Sequence, residues 1–210
     1  MPVKNLLFDF GNVIINIDES KSHAAFHQVL GSSYDVVMKR FSVTKLLKRA
    51  NTQTVTLKMM CDEIETLGVK YQPEQIKSAW NALILDLPEE RINLLAKLRR
   101  HYNLYMLSNI NLLHDEEIER RFQEKYGSNP LRPLFQKMYY SYKIGIAKPD
   151  LRAYEKVIQD AGILPEETLF FDDLLENLHA AAQLGFRTQR VTRQEHIVKL
   201  CKPLFATFKR

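Results

Sequence analysis

The feature that most constrains this chain is a rhythm. Short β-rich runs end on small or polar residues, and each leads into a helical pattern. The runs are Asn5–Phe8, Leu104–Leu107, Lys137–Tyr142, Leu169–Phe171 and Thr188–Val191. Between them lie apolar stripes with the period of amphipathic helices. Pro88 opens one stripe, with Ile92, Leu95 and Leu98 on one face. Pro149 opens another, in which Ala153, Tyr154, Val157, Ile158 and Ala161 line up before Gly162 stops it. A third runs from Asn177 to Leu184 and stops at Gly185. Proline in a first helical turn costs no hydrogen bond, and glycine suits the residue just past the last turn. This alternation predicts an α/β fold whose mostly parallel sheet is covered by helices. In such sheets ligands bind beyond the carboxyl ends of the strands. The polar residues that close the runs are therefore the ones to examine for chemistry.

One stretch breaks the rhythm. From about Asp18 to Leu87 the pattern is helical throughout, in the pieces Ala24–Leu30, Val36–Leu47, Thr56–Leu67 and Glu74–Leu83. A plain crossover between strands needs one helix. The spacing predicts a helical cap at 18–87, inserted after the first strand, over a core made of 1–17 and 88–210.

Charge and composition exclude several classes. An apolar share of 45% and a charged share of 26% are ordinary for a soluble globular chain of 210 residues. No apolar run approaches the ~20 residues of a membrane helix. The opening Met-Pro-Val-Lys-Asn lacks the apolar stretch and cleavage site of a signal peptide. Cys61 and Cys201 form no metal or redox spacing, so a reducing cytoplasm is the expected location. The net charge of +5 is concentrated in 187–210, where Arg187, Arg190, Arg193, Lys199, Lys202, Lys209 and Arg210 accompany one acidic residue, Glu195. A basic tail without aromatic interleaving or a recognition helix points to neither nucleic acid nor membrane as partner. Oligomeric state is not legible.

The strand ends carry the chemistry. Asp9 closes the first run and precedes Phe10-Gly11-Asn12; Ser108 and Asn109 close LYMLSN; Lys148 sits in GIAKPD; Asp172 and Asp173 close TLFFDD. Singly, each is explained as a turn former or helix N-cap. As a set they describe something else. Carboxylates at adjacent strand ends repel unless a cation lies between them, and all-oxygen donors suit Mg²⁺. A lysine and a hydroxyl nearby supply positive charge and a donor for a phosphoryl group. A carboxylate nucleophile splits phosphoester hydrolysis into two easier displacements.

The segments LLFDFGNVI, LYMLSN, GIAKPD and TLFFDDLLEN, in that order over nearly the whole chain, resemble the haloacid dehalogenase (HAD) superfamily. That resemblance implies a Rossmann-like core with a cap and a phosphatase acting on a small phosphorylated metabolite. It implies Asp9 as nucleophile and magnesium ligand, with the Gly11 carbonyl as a second ligand. Asp172 would bind the metal directly and Asp173 through water. Ser108, Asn109 and Lys148 would hold the phosphoryl oxygens, Lys148 being catalytic, while Asn111 and His114 would reach the substrate side. FDFGNVI with NID, SNINLLH and GIAKPD is similar to the bacterial α-D-glucose-1-phosphate phosphatase-like branch, which implies a substrate such as a sugar phosphate.

The sequence departs from the family pattern at Gly11, where its phosphatases usually carry a second Asp as general acid and base. Losing such a group costs ~10²–10⁴ in rate. Asp18, His23, His27 and His114 are the candidate substitutes. Dehalogenases also lack the second Asp, but they attack carbon without a metal and lack the acidic pair seen at Asp172-Asp173. A catalytically weak protein that binds a phosphorylated ligand for regulation is the alternative from another class. Phe26, Phe41 and Trp80 are open to two readings, substrate contact or helix-face core. Asn177 is equally open, as an organiser of the last motif or as a helix cap.

Overall fold

The computed structural model describes residues 1–193 and 196–208. The chain begins with β1 (Asn5–Phe8) and then leaves the sheet for five helices: α1 (Glu19–Leu30), α2 (Tyr34–Val43), α3 (Leu46–Ala50), α4 (Leu57–Glu65) and α5 (Pro73–Asn81). It returns through α6 (Glu89–Leu98) to β2 (Asn103–Ser108), α7 (Leu112–Tyr126) and β3 (Lys137–Tyr140). The short α8 (Ser141–Ile144), α9 (Leu151–Ala161), β4 (Thr168–Asp172), α10 (Leu175–Gln183), β5 (Arg187–Arg190) and α11 (Ile197–Leu200) follow.

The five strands form one sheet in the order β3-β2-β1-β4-β5, every pair parallel. The first strand is central: Leu6 lies beside Leu104 on one side and Leu169 on the other. All four residues of β1 are buried, as a strand covered on both faces requires, and this explains its unbroken apolar run. Leu6, Phe8, Leu104, Met106 and Phe171 share one face with Leu94, Leu95 and Leu98 of α6. Leu7, Leu107, Tyr139 and Phe170 share the other with Tyr154 and Val157 of α9 and Leu178 of α10.

Several expected boundaries move for physical reasons. The third run ends at Tyr140, because the Ser141 hydroxyl donates to the Ile110 carbonyl at 3.1 Å and the chain turns into α8. Lys45, at φ 54°, breaks the expected helix over Val36–Leu47 into α2 and α3. The last strand slips one residue towards the N-terminus, pairing Arg187 with Leu169. The helix expected from Asn177 begins at Leu175, so Asn177 stands inside its first turn.

The five helices of 19–81 build their own apolar cluster from Phe26, Val37, Phe41, Met60, Ile64, Ile76 and Trp80, which Leu113 of α7 joins. Phe26, Phe41 and Trp80 are thus buried in it. The two connections to the sheet run antiparallel: the Asn16 N–H donates to Asp86 O at 2.9 Å, and Leu85 N–H returns to Asn16 O at 3.0 Å. Arg121 of α7 ties this hinge by donating to Ile84 O at 2.6 Å. Among the described residues no helix is long and apolar enough to cross a membrane.

Phe8 is the keystone of the sheet's first face. Its ring stacks on Phe171 at 5.2 Å and meets the edge of Phe135 at 6.2 Å. Phe8→Ala is expected to cost about 3–5 kcal/mol through the cavity it leaves. Urea unfolding will show this as a lower midpoint at unchanged slope.

Candidate active site

Neighbouring strands β1 and β4 deliver the acids. The Asp9 N–H still donates to Phe171 O at 2.8 Å, so the ladder carries one residue beyond β1 and sets Asp9 beside Asp172. Lys148, on the loop after α8, places its Nζ 2.7 Å from Asp9 Oδ1 and 2.7 Å from Asp172 Oδ2. Its side chain is only 1% exposed. Burial by itself would discharge this lysine. The two carboxylates outweigh burial, and its pKa is raised. The Asp9 pKa is raised too: burial pushes it up to about 6, with Asp172 adding and Lys148 opposing.

Asp172 and Lys148 each have further partners that hold them still. Asn177 Nδ2 donates to both oxygens of Asp172, at 3.0 and 3.1 Å, and the Leu174 N–H donates to Oδ1 at 2.9 Å. Of the two readings of Asn177, the structure favours the organiser. Asn109 grips the Lys148 backbone from both ends of its amide, donating to Lys148 O at 2.8 Å and accepting from Lys148 N–H at 2.9 Å. The Asn109 side chain therefore acts on Lys148. Ser108 is buried at the end of β2. Asp173 accepts from Asn12 Nδ2 at 3.1 Å and has a raised pKa, chiefly from burial.

Oxygens of Asp9, Asp172 and Asp173 all lie within 4.8 Å of one another. Three carboxylates against one ammonium leave a surplus of negative charge in a buried place, which a divalent cation would relieve. The donors are all oxygen, so the residues fit Mg²⁺. Gly11 lies in the loop beyond Asp9, and a Cβ built on it would stand 2.9 Å from Ile17 Cδ1. The space beside it is thus filled by a methyl group.

Asn111 and His114 are engaged elsewhere. Asn111 caps α7, its Oδ1 accepting from His114 N–H at 3.0 Å and from Trp80 Nε1–H at 3.2 Å. Its Nδ2 donates to His114 Nδ1 at 2.9 Å, and His114 Nε2 donates to Trp80 O at 3.2 Å, a tautomer assigned from this network. The imidazole also stacks on the Trp80 ring at 5.4 Å. These two side chains join the helical insert to the loop after β2, and both ring nitrogens of His114 already have partners.

The other candidate acids are spread out. Asp18 caps α1 and is held below the usual carboxylate range, first by the Ser20 hydroxyl at 2.6 Å. His23 Nδ1 meets the Tyr34 hydroxyl at 2.8 Å, and His27 stacks on the same ring. Asp18 and Asp173 line one polar cleft of about 850 Å³ with Asn12, Glu19, Arg190 and Arg193. His23 and His114 line a smaller, mostly apolar cavity of about 210 Å³ with Met38, Leu47, Trp80 and Glu19, so Glu19 borders both. Sequence reasoning missed Asn12 and Arg190, whose Nε donates to Asp173 O at 3.2 Å. The available signal was Asn12 following glycine, since asparagine tolerates the left-handed backbone seen there at φ 57°.

Burial lowers the His114 pKa to about 4. The native state therefore refuses a proton that the unfolded chain takes below its ordinary value near 6.5. His114 contributes its full stability above about pH 6.5 and loses it as pH falls towards about 4, a total of about 3 kcal/mol. Urea midpoints at pH 7.5 and 4.5 will fall further apart in wild type than in His114→Gln.

Known proteins are similar to this chain in sequence and fold. The model of the haloacid dehalogenase-like hydrolases matches residues 3–185. A D-ribitol-5-phosphate phosphatase of Bacteroides thetaiotaomicron is 29% identical over 188 residues, covering 89% of this chain and 90% of that protein. The crystal structure of HAD family enzyme bt-2542 from Bacteroides thetaiotaomicron superposes with a TM-score of 0.85 at 29% identity, covering all of both chains. Its complex with magnesium and inorganic phosphate gives 0.82 at 32% identity over 94% of this chain and 98% of that one. A parallel sheet that gathers Asp9, Lys148, Asp172 and Asp173 at its carboxyl edge, matched over nearly its full length, belongs to the haloacid dehalogenase-like hydrolases.

Proposed function

We propose that this protein is a Mg²⁺-dependent phosphatase that hydrolyses a small phosphorylated metabolite through an aspartyl-phosphate on Asp9. The observation that carries this reading is the Lys148 ammonium, shared at 2.7 Å between Asp9 and Asp172. Asp9, the Gly11 carbonyl, Asp172 and Asp173 would hold Mg²⁺, which when bound offsets negative charge on the carboxylates and on the phosphoryl oxygens. An Asp9 oxygen attacks phosphorus while the bond to the leaving oxygen breaks, and that oxygen takes its proton from solvent because position 11 holds no acid. Water then attacks the same phosphorus and gives a proton back to solvent, the bond to Asp9 breaks, and phosphate departs with Asp9 restored. Lys148 neutralises the phosphoryl oxygens throughout, with Ser108 donating a hydrogen bond. Residues 18–87 act as the cap over this edge.

The leaving group extends into the polar cleft beside Asp173, where Asn12, Asp18 and Arg190 offer partners to hydroxyls. Sugar and polyol phosphates are the first substrates to test, given the similarity to a D-ribitol-5-phosphate phosphatase. A second reading, a regulatory protein that binds a phosphorylated ligand, is favoured by Gly11 alone.

Phosphate release from p-nitrophenyl phosphate and a panel of sugar and polyol phosphates separates the two. Activity that needs Mg²⁺, stops with EDTA and vanishes in Asp9→Asn is expected; ligand binding without turnover would transfer the protein to the second reading. The absent acid makes a further prediction. Rates will rise steeply as the leaving group becomes less basic. Gly11→Asp, which has only the flexible tip of Ile17 to displace, will speed alkyl phosphates by up to ~10² and p-nitrophenyl phosphate far less. Equal effects on both would show that the proton comes from elsewhere.

A further inference from the structure

Trp80 is the chain's single tryptophan, and its indole makes a closed hydrogen-bonded ring with the loop that follows β2. Three consecutive residues of that loop are each tied to a different element. Asn109 clamps the Lys148 backbone at 2.8 and 2.9 Å. The Ile110 carbonyl accepts from the Ser141 hydroxyl at 3.1 Å. Asn111 accepts from Trp80 Nε1–H at 3.2 Å and donates to His114, which donates back to Trp80 O. Asn111, Ser141 and Trp80 are all buried. Breaking any of these bonds strands a polar atom away from water, which is costly.

Leu113 of α7 joins the insert's apolar cluster, and apolar packing of that kind is non-directional. The ring is different, because a closed polar ring has one geometry in which every member is satisfied. A shift of Trp80 must therefore move Asn111, or break with it, and the tethered loop passes that shift to Asn109 and the Lys148 backbone. We propose that Trp80, Asn111 and His114 are positioning residues, a latch that couples the seating of the helical insert to the placement of the Lys148 ammonium. Asn111 touches no reacting atom in this account. The inference rests on the reading of Lys148 as the group that meets the phosphoryl oxygens.

Capping alone would account for Asn111, so the test must separate capping from latching. Asn111→Ser does this: serine still accepts from the His114 N–H as an N-cap but is too short to engage the Trp80 indole and the His114 ring together. The probe is inorganic phosphate, titrated into the full chain with Mg²⁺ and followed by both calorimetry and Trp80 fluorescence. In wild type the emission should change saturably, with the midpoint that calorimetry gives. In Asn111→Ser, phosphate should bind about three- to tenfold more weakly, the worth of one net hydrogen bond, and the emission should no longer respond. Trp80→Phe should weaken phosphate binding by the same factor, and the double variant should be no weaker than either single one.

Wild-type affinity in Asn111→Ser with the emission response intact would overturn the latch. So would independent, additive losses in the double variant, or a silent wild-type emission while calorimetry records binding. Wild-type protein that binds no phosphate by calorimetry would instead remove the phosphatase reading, and the latch with it. Melting curves of the variants confirm that each is folded at the assay temperature.

Discussion

Everything in this molecule is arranged around one buried ammonium group. Lys148 Nζ sits between Asp9 and Asp172 with almost no access to water. A lone lysine there would lose its proton and two lone carboxylates would gain one, because burial penalises every charge. Together they remain charged only while their geometry is held closely, since a small separation in a low-dielectric place is expensive. The sheet supplies that geometry. Two carboxylates come from adjacent parallel strands in register, and the lysine comes from a loop that has no strand to hold it.

The loop explains the company that Lys148 keeps. Asn109 fastens its backbone, and Asn177 fastens the carboxylate opposite. Neither residue is charged, and Asn177 shares Asp172 with the lysine, donating to both of its oxygens. The same economy appears at Asp173, which is aligned by Asn12 rather than by a cation. Amide side chains orient the carboxylates without neutralising them, which leaves the surplus negative charge available to a metal. An arginine at any of these positions would have cancelled it.

The surroundings of Gly11 and Ile17 bear on the chemistry in the opposite sense. Ile17 belongs to the antiparallel hinge that leads into the helical insert, and its side chain fills the space a larger residue at position 11 would take. The hinge thus places a hydrocarbon beside position 11, where the phosphatases this chain resembles usually carry an acid. Asp18, which follows Ile17, caps α1 and is held in its charged form.

Much of this was legible in the order of residues. Burial on both faces makes a parallel strand read as an unbroken apolar run, so β1, β2 and β4 announced themselves, and Asp9, Ser108 and Asp172 followed as the residues that end them. Repulsion among those acids pointed to a cation before any coordinate did. The break at Lys45 was not legible, because a single left-handed residue leaves no mark on the apolar period. The tasks of Asn109, Asn111 and His114 were not legible either. Asn111 and His114 follow Ser108 closely, and their hydrogen bonds to Trp80, thirty-one positions upstream of Asn111, leave no mark on the local sequence. Sequence by itself determined which groups could do chemistry here, since residue type sets charge and strand ends set location. Tertiary structure decided which of those groups are free to do it, because hydrogen-bonding capacity is finite and only the folded chain shows how it is spent.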